Sequence, residues 1–273
     1  MTQSPGTLFE MLLDIMARLR GPGGCPWDRE QTRTSLKAYL IEEAYEVLEA
    51  IEAGDPDALQ EELGDLLLQV VFHAQIAREL GDFTMADLLE RLCEKLVTRH
   101  PHVFGDASVG SASEALVQWE AIKQREAEAQ GRRRSVIDGV PRALPALLRA
   151  QRLQTKAGRV HFDWPDARAA WEKVKEEVVE TNEALASGDR ERVREELGDV
   201  LFSVVNVARL AAIDAEDALG TAIEKFQRRF TGMEADLIAR GRSVTTVSQE
   251  ELERSWRAAK AREHGPRRDE TES

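Results

Sequence analysis

The sequence predicts an all-α protein built as two tandem helical bundles, and three observations carry that prediction. Long segments dominated by Ala, Leu, Glu and Arg have helical periodicity, and the sparse prolines cluster between them. No alternating apolar and polar run bounded by hairpin signals occurs. A pair of carboxylate-rich motifs appears twice at one offset: Glu42-Glu43-Ala-Tyr-Glu46 and Glu61-Glu62-Leu-Gly-Asp65 recur 134 residues later as Glu176-Glu177-Val-Val-Glu180 and Glu195-Glu196-Leu-Gly-Asp199.

The first copy defines the elements. Residues Ser35–Ala53 read as one helix, closed by Gly54. Asp55-Pro56 opens the next, with proline in the first turn where its missing N–H costs nothing, and it runs to Leu80 and Gly81. Thr84–Thr98 and Ser113–Ala129 are the third and fourth helices. Leu66–Phe72 is apolar almost all round, which predicts burial on most sides, with a partner subunit covering part of it; Val200–Val205 repeats the pattern. Gly64 and Gly198 lie inside helices, where glycine costs about 1 kcal/mol relative to alanine. Their repetition predicts close approach of another helix or of a ligand. Lys95 and Arg99 recur as Lys225 and Arg229, and Trp119 and Lys123 as Trp256 and Lys260, so order is kept while loops differ in length. The Arg- and Gly-rich stretch beginning at Gln130 sets the expected boundary: an N-terminal domain over 1–130, a linker over 131–145, a C-terminal domain over 146–263 and a polar tail over 264–273.

Composition narrows the function. The 273 residues are 42% apolar, enough for real cores, and carry a formal net charge of −13. Such a surface repels a nucleic-acid backbone, so no direct DNA or RNA binding is expected. An acidic protein that binds a polyphosphate needs metal ions or local Lys and Arg between the two anions. Cys25 and Cys93 form neither a disulfide framework nor a zinc spacing. Glu10 and Asp14 interrupt the first apolar stretch, which argues against a signal peptide, and no apolar run reaches the roughly 18 residues of a membrane span. A cytoplasmic location is the expectation.

On a helix, residues three or four apart share a face. Glu43 and Glu46 therefore point the same way, with Glu42 at the edge, and Glu62 and Asp65 do likewise on the next helix. Antiparallel packing across the short Gly54–Asp57 turn converges four carboxylates, whose mutual repulsion a hard divalent cation relieves. An all-oxygen ligand set suits magnesium or manganese. A lone pair of acids in a charged helix is ordinarily a solvated face, but the double occurrence beside apolar Leu63, Leu66, Leu197 and Val200 argues otherwise. A di-iron carboxylate bundle is disfavoured because Asp65 and Asp199 stand where a histidine belongs. A P-loop ATPase is excluded because its glycine-lysine motif is missing. A non-enzymatic helical regulator or nucleotide-binding scaffold is the remaining rival, and a broken ligand set would mark it; neither copy is broken.

These motifs resemble the MazG family of nucleoside triphosphate pyrophosphohydrolases, whose signature is EExxE, a spacer, then ExxD. Cys25-Pro26-Trp27-Asp28 and Arg99-His100-Pro101-His102-Val103-Phe104-Gly105 are also similar to that family's N-terminal half. The resemblance implies homodimers and magnesium-dependent cleavage of NTPs and dNTPs to nucleoside monophosphate and pyrophosphate, a nucleotide-pool housecleaning activity. It makes Glu43, Glu46, Glu62 and Asp65 the metal ligands of one site and Glu177, Glu180, Glu196 and Asp199 those of the other. Glu42 and Glu176 become the residues that orient or deprotonate the attacking water. Lys95 with Arg99, and Lys225 with Arg229, are expected on phosphate oxygens. Trp119 with Lys123, and Trp256 with Lys260, are expected on base, ribose or phosphate. His73 is expected as a satisfied core histidine, and His161, Phe162 and Trp164 as loop packing. The C-terminal half lacks counterparts of Cys25-Pro26 and of His100-Pro101-His102, and it is expected to be the main catalyst.

Overall fold

A computed structural model describes residues 3–129, 131 and 135–263, and every regular element among them is a helix. The predicted tail over 264–273 and most of the Arg-rich segment over 130–134 lie outside the described residues. The chain divides into two compact units, Met1–Glu126 and Ala127–Ser273.

In the first unit, α1 (Pro5–Arg20) starts with Pro5 in its first turn and Ser4 as cap, the Ser4 Oγ accepting from the Thr7 N–H. After the short α2 (Pro26–Glu30), α3 (Lys37–Ala53) ends at Gly54, whose φ of 66° is the left-handed conformation that glycine adopts without strain. Helix α3 starts two residues later than the sequence predicts. Thr32 and Ser35 instead cap each other reciprocally, which holds the preceding residues in a turn. The Asp55 carboxylate accepts from the Asp57 and Ala58 N–H groups and so starts α4 (Pro56–Leu80). Thr84 and Asp87 form a capping box on α5 (Met85–Arg99). The one-turn α6 (Pro101–Phe104) and α7 (Ala112–Ala129) follow.

Helix α4 is central, packing on α3, α1 and α5. Its Val71, Phe72 and Ile76 meet Met16 and Leu36 in the core. Arg20 is the principal strut of this unit. It is buried, lies 5.3 Å over the Phe72 ring and is ion-paired to Glu79 at 2.7 Å. It also donates to the Asp28 and Gln31 carbonyls of the loop that carries Trp27.

In the second unit, α8 (Ala146–Gly158) and a loop lead to α9 (Ala167–Ser187) and α10 (Arg190–Leu210), an antiparallel hairpin turned at Gly188 and capped by Asp189. α11 (Ala215–Ala239) and α12 (Gln249–Glu263) close a smaller core around Met233, Leu237 and Ala259.

Several expectations change on folding. A Cβ on Gly64 or Gly198 would meet nothing within 4 Å, so neither glycine accommodates a close helix of its own unit; both lie on the outward face. Along Leu66–Phe72, Gln69, Val71 and Phe72 are buried while Leu67 and Val70 stay exposed. His73 reaches the interior, but its Nε2 has no hydrogen-bond partner, and burial together with nearby Arg33 pushes its pKa down. Phe162 does not pack its loop and is 81% exposed. The left-handed His161 (φ 64°) and the Asp163–Arg209 ion pair turn the chain so that the intervening ring faces outward.

Candidate metal and phosphate sites

Helical spacing explains how acids come to lie at the edge of a core. On α9 the buried residues are Ala170, Val174, Glu177, Thr181 and Ala184, a stripe of alternating four- and three-residue steps. Glu177 occupies one position of that stripe and is only 5% exposed. On α3 the same stripe runs from Glu43 through buried Val47 and Ala50. In each hairpin the second helix brings its acids across from this position. Glu43, Glu62 and Asp65 each offer an oxygen within 4.8 Å of the others, and Glu177, Glu196 and Asp199 do the same.

Glu46 and Glu180 fall just outside these triads but border them. Burial pushes the Glu43 pKa up, and the charge of Asp65 adds to it; Glu62 is raised by burial and then by Glu46. Glu180 is raised by burial and then by Glu177. Both clusters therefore hold closely spaced carboxylates that repel one another. Glu42 is exposed beside the first cluster. Glu176 is also exposed and is held by Lys173 at 2.7 Å.

The other predicted residues are placed less uniformly. Lys95 is exposed, whereas Arg99 is committed to Glu126 at 2.6 Å and lies over the Trp119 ring at 5.9 Å. Trp119 also receives the His100 ring edge-on at 4.8 Å, and Lys123 pairs with Glu120. His100 and His102 direct Nδ1 at the Leu96 carbonyl and the Gln118 side-chain oxygen. In the second unit Lys225 and Lys260 are exposed, Arg229 is half-buried, and Trp256 packs against Phe226 at 5.4 Å beside the Met233–Leu237 core. Neither indole lies in its triad.

The structure adds residues that the sequence reading missed. Lys173 Nζ lies 2.8 Å from Glu177 as well as against Glu176, and these two carboxylates push its pKa up, the Glu176 hydrogen bond most strongly. Arg192 Nε is 3.6 Å from Glu196. In the first unit, Gln69, 6% exposed, donates to Glu43 at 3.3 Å. The 134-residue register sets Lys173 against Tyr39, Arg192 against Ala58 and Gln69 against Ser203.

The model of the MazG nucleotide pyrophosphohydrolase domain matches residues 31–104 and again residues 167–232, so each match contains one complete triad. The chain belongs to the MazG family. A MazG relative from Thermotoga maritima, the nucleoside triphosphate pyrophosphohydrolase/pyrophosphatase MazG, is 48% identical over 93% of this chain and 96% of its own length. The nucleoside triphosphate pyrophosphohydrolase of Escherichia coli K12 is 46% identical over 93% of this chain and 98% of its own. A Bacillus subtilis protein named uncharacterized protein YabN is 45% identical over the same share of this chain, which covers 52% of it. The two triads thus lie in two copies of the MazG domain, as the repeated motif predicts.

Proposed function

We propose that this chain hydrolyses nucleoside and deoxynucleoside triphosphates to nucleoside monophosphate and pyrophosphate, using magnesium, or manganese in its place, at its carboxylate triads. Family membership, and relatives named nucleoside triphosphate pyrophosphohydrolases that share nearly half their residues with it, make the chain a nucleoside triphosphate pyrophosphohydrolase. The observation that carries the finer reading is the recurrence, in both units, of three convergent carboxylates at a helix hairpin. Without a cation such a cluster repels a polyphosphate; with one it becomes the point of attachment.

Glu43, Glu62 and Asp65, with Glu46 beside them, fit a hard divalent ion in the first unit. Glu177, Glu196 and Asp199, with Glu180, fit one in the second. A divalent ion held there supplies polarisation of a phosphoryl oxygen. The remaining work falls to side chains. Glu42 and Glu176 stand one residue from a ligand, placed to orient a water and accept its proton. Lys173 and Arg192 carry positive charge at the edge of the second triad, where phosphate oxygens arrive. Lys225 and Arg229, with Lys95 and Arg99 in the first unit, extend that charge, and Trp119, Lys123, Trp256 and Lys260 flank the nucleoside. The C-terminal triad is the main catalyst. Lys173 and Arg192 stand beside its acids, whereas among the described residues no Lys or Arg pairs with the acids of the first triad.

A homodimer completes the reading. Ile41, Tyr45 and Leu48 on α3, and Leu63, Leu67 and Val70 on α4, are exposed, as are Val178, Leu197, Leu201 and Phe202 in the second unit. Apolar faces this extensive on one hairpin call for a second copy of the chain. Light scattering at micromolar concentration should give twice the monomer mass; a strictly monomeric mass contradicts the dimer. No described helix is long and apolar enough to cross a membrane. A cytoplasmic enzyme that clears unwanted nucleotides is the role proposed.

The activity is tested by incubating a panel of ordinary and damaged NTPs and dNTPs with magnesium and resolving the products by chromatography. Pyrophosphate and monophosphate are expected, with no turnover in excess EDTA. Orthophosphate as first product, or full turnover in EDTA, overturns the reading.

A further inference from the structure

The two triads share a ligand set and differ in what neutralises it. Among the described residues, no Lys or Arg pairs with Glu43, Glu62 or Asp65. Tyr39 stands one helical turn before Glu43, where the second unit has Lys173, and its ring lies edge-on to Trp27 at 5.9 Å. Ala58 stands where the second unit has Arg192. The one polar group that steadies Glu43 from within is Gln69. It is neutral and buried, and its Oε1 has no hydrogen-bond partner. A buried amide that donates one bond and leaves its acceptor unmet spends stability to fix Glu43 without discharging it. The first triad is thus a negative cluster that no Lys or Arg among the described residues compensates.

The second triad is partly neutralised. Lys173 Nζ bridges Glu176 and Glu177 at 2.7 and 2.8 Å, and Arg192 lies against Glu196. A divalent ion entering there meets positive charge and has to share the Glu177 carboxylate with Lys173. A polyphosphate changes the balance, because its anionic oxygens give Lys173 and Arg192 new partners as the carboxylates are released.

We infer that the two triads load in a fixed order: the N-terminal triad takes a bare divalent cation, whereas the C-terminal triad, closed by Lys173, takes its cation only together with a polyphosphate. The inference rests on the triads being metal sites, as proposed above, and adds that the resting protein is asymmetrically loaded. The N-terminal ion is then a standing structural or regulatory ion, and metal occupancy of the C-terminal triad is coupled to substrate.

The test is a titration of the full-length protein with Mn2+ alone, reading free Mn2+ by electron paramagnetic resonance. Wild type should show one tight site per chain and a second at least about tenfold weaker, the scale of one charge contact removed from a half-buried site. Lys173→Met should bring the second site into the tight class without nucleotide. Tyr39→Lys should move the first site into the weak class. Glu43→Gln should abolish the tight site, and Glu177→Gln should leave it. Lys173→Arg retains the charge and should keep the second site weak, while circular dichroism checks that every variant is folded. Two equal sites in wild type, no bound Mn2+, or a tight site that disappears with Glu177→Gln overturns the order, as does a folded Lys173→Met that binds like wild type. Pyrophosphate release is scored separately. Ordered loading without release keeps this inference and defeats the catalytic reading; release with two equal sites does the reverse.

Discussion

The hairpin α3–α4 and the hairpin α9–α10 are two solutions to one electrostatic problem. Each places a glutamate in the buried stripe of its first helix and brings an ExxD pair across from the second. In the C-terminal hairpin, Lys173 and Arg192 stand against the acids. In the N-terminal hairpin, a neutral amide from Gln69 donates to Glu43 where the other hairpin has a cation, and the burial and repulsion that push Glu43 and Glu62 up are left standing. The comparison teaches that the carboxylate set is held by helix geometry, because moving any acid by one residue turns it off the shared face. The neighbours one turn away differ, and through them two copies of one carboxylate triad acquire different electrostatics.

The sharpest way to break this comparison is to remove one ligand from each copy. Glu180→Ala should lower turnover of an NTP about 10²-fold or more, the scale on which a positioned charge acts in a transition state. Glu46→Ala should lower it far less. Nearly normal Glu180→Ala beside an inactive Glu46→Ala reverses the halves, and equal losses make the two sites equivalent.

A smaller effect concerns the Arg20–Glu79 pair that braces the first unit. Glu79 is held below the usual carboxylate range, chiefly by hydrogen bonds from Arg20. A lowered folded pKa stabilises above the unfolded value, near 4.5, and that stability is lost as the pH falls through the folded value. Glu79→Gln should therefore cost about 1 kcal/mol at pH 7, a modest figure because solvent screens the half-exposed Glu79. The gap from wild type should close below pH 4.5 in denaturant unfolding followed by circular dichroism. A gap that stays constant from pH 7 to pH 3 contradicts the assignment to Arg20 and Glu79.

Much of this was legible in the sequence, and the limits have physical reasons. Glu43, Glu62 and Asp65 and their copies could be read because helical spacing fixes a shared face and the repeat marks it. Lys173 and Arg192 could not, because a search for sameness between copies passes over Tyr39 and Ala58. Their signal was the mismatch itself, a cation one turn before an acid in one copy only. Gln69 was hidden inside an apolar run, where only the fold shows which face turns to Glu43. Trp119 was readable as a neighbour of Lys123, but its contacts with His100 and Arg99 depend on tertiary packing. Glycines in register did not report close packing within their own units, because outward and inward faces look alike at a residue without a side chain.

The most direct measurement is magnesium-dependent pyrophosphate release by the double variant Glu43→Gln with Glu177→Gln, compared with wild type on the same NTP. Glutamine preserves size and hydrogen bonding and removes one negative charge from each triad. A folded, helical double variant should release pyrophosphate at less than about one hundredth of the wild-type rate. Retention of most of the wild-type rate would show that hydrolysis takes place somewhere other than at these carboxylates.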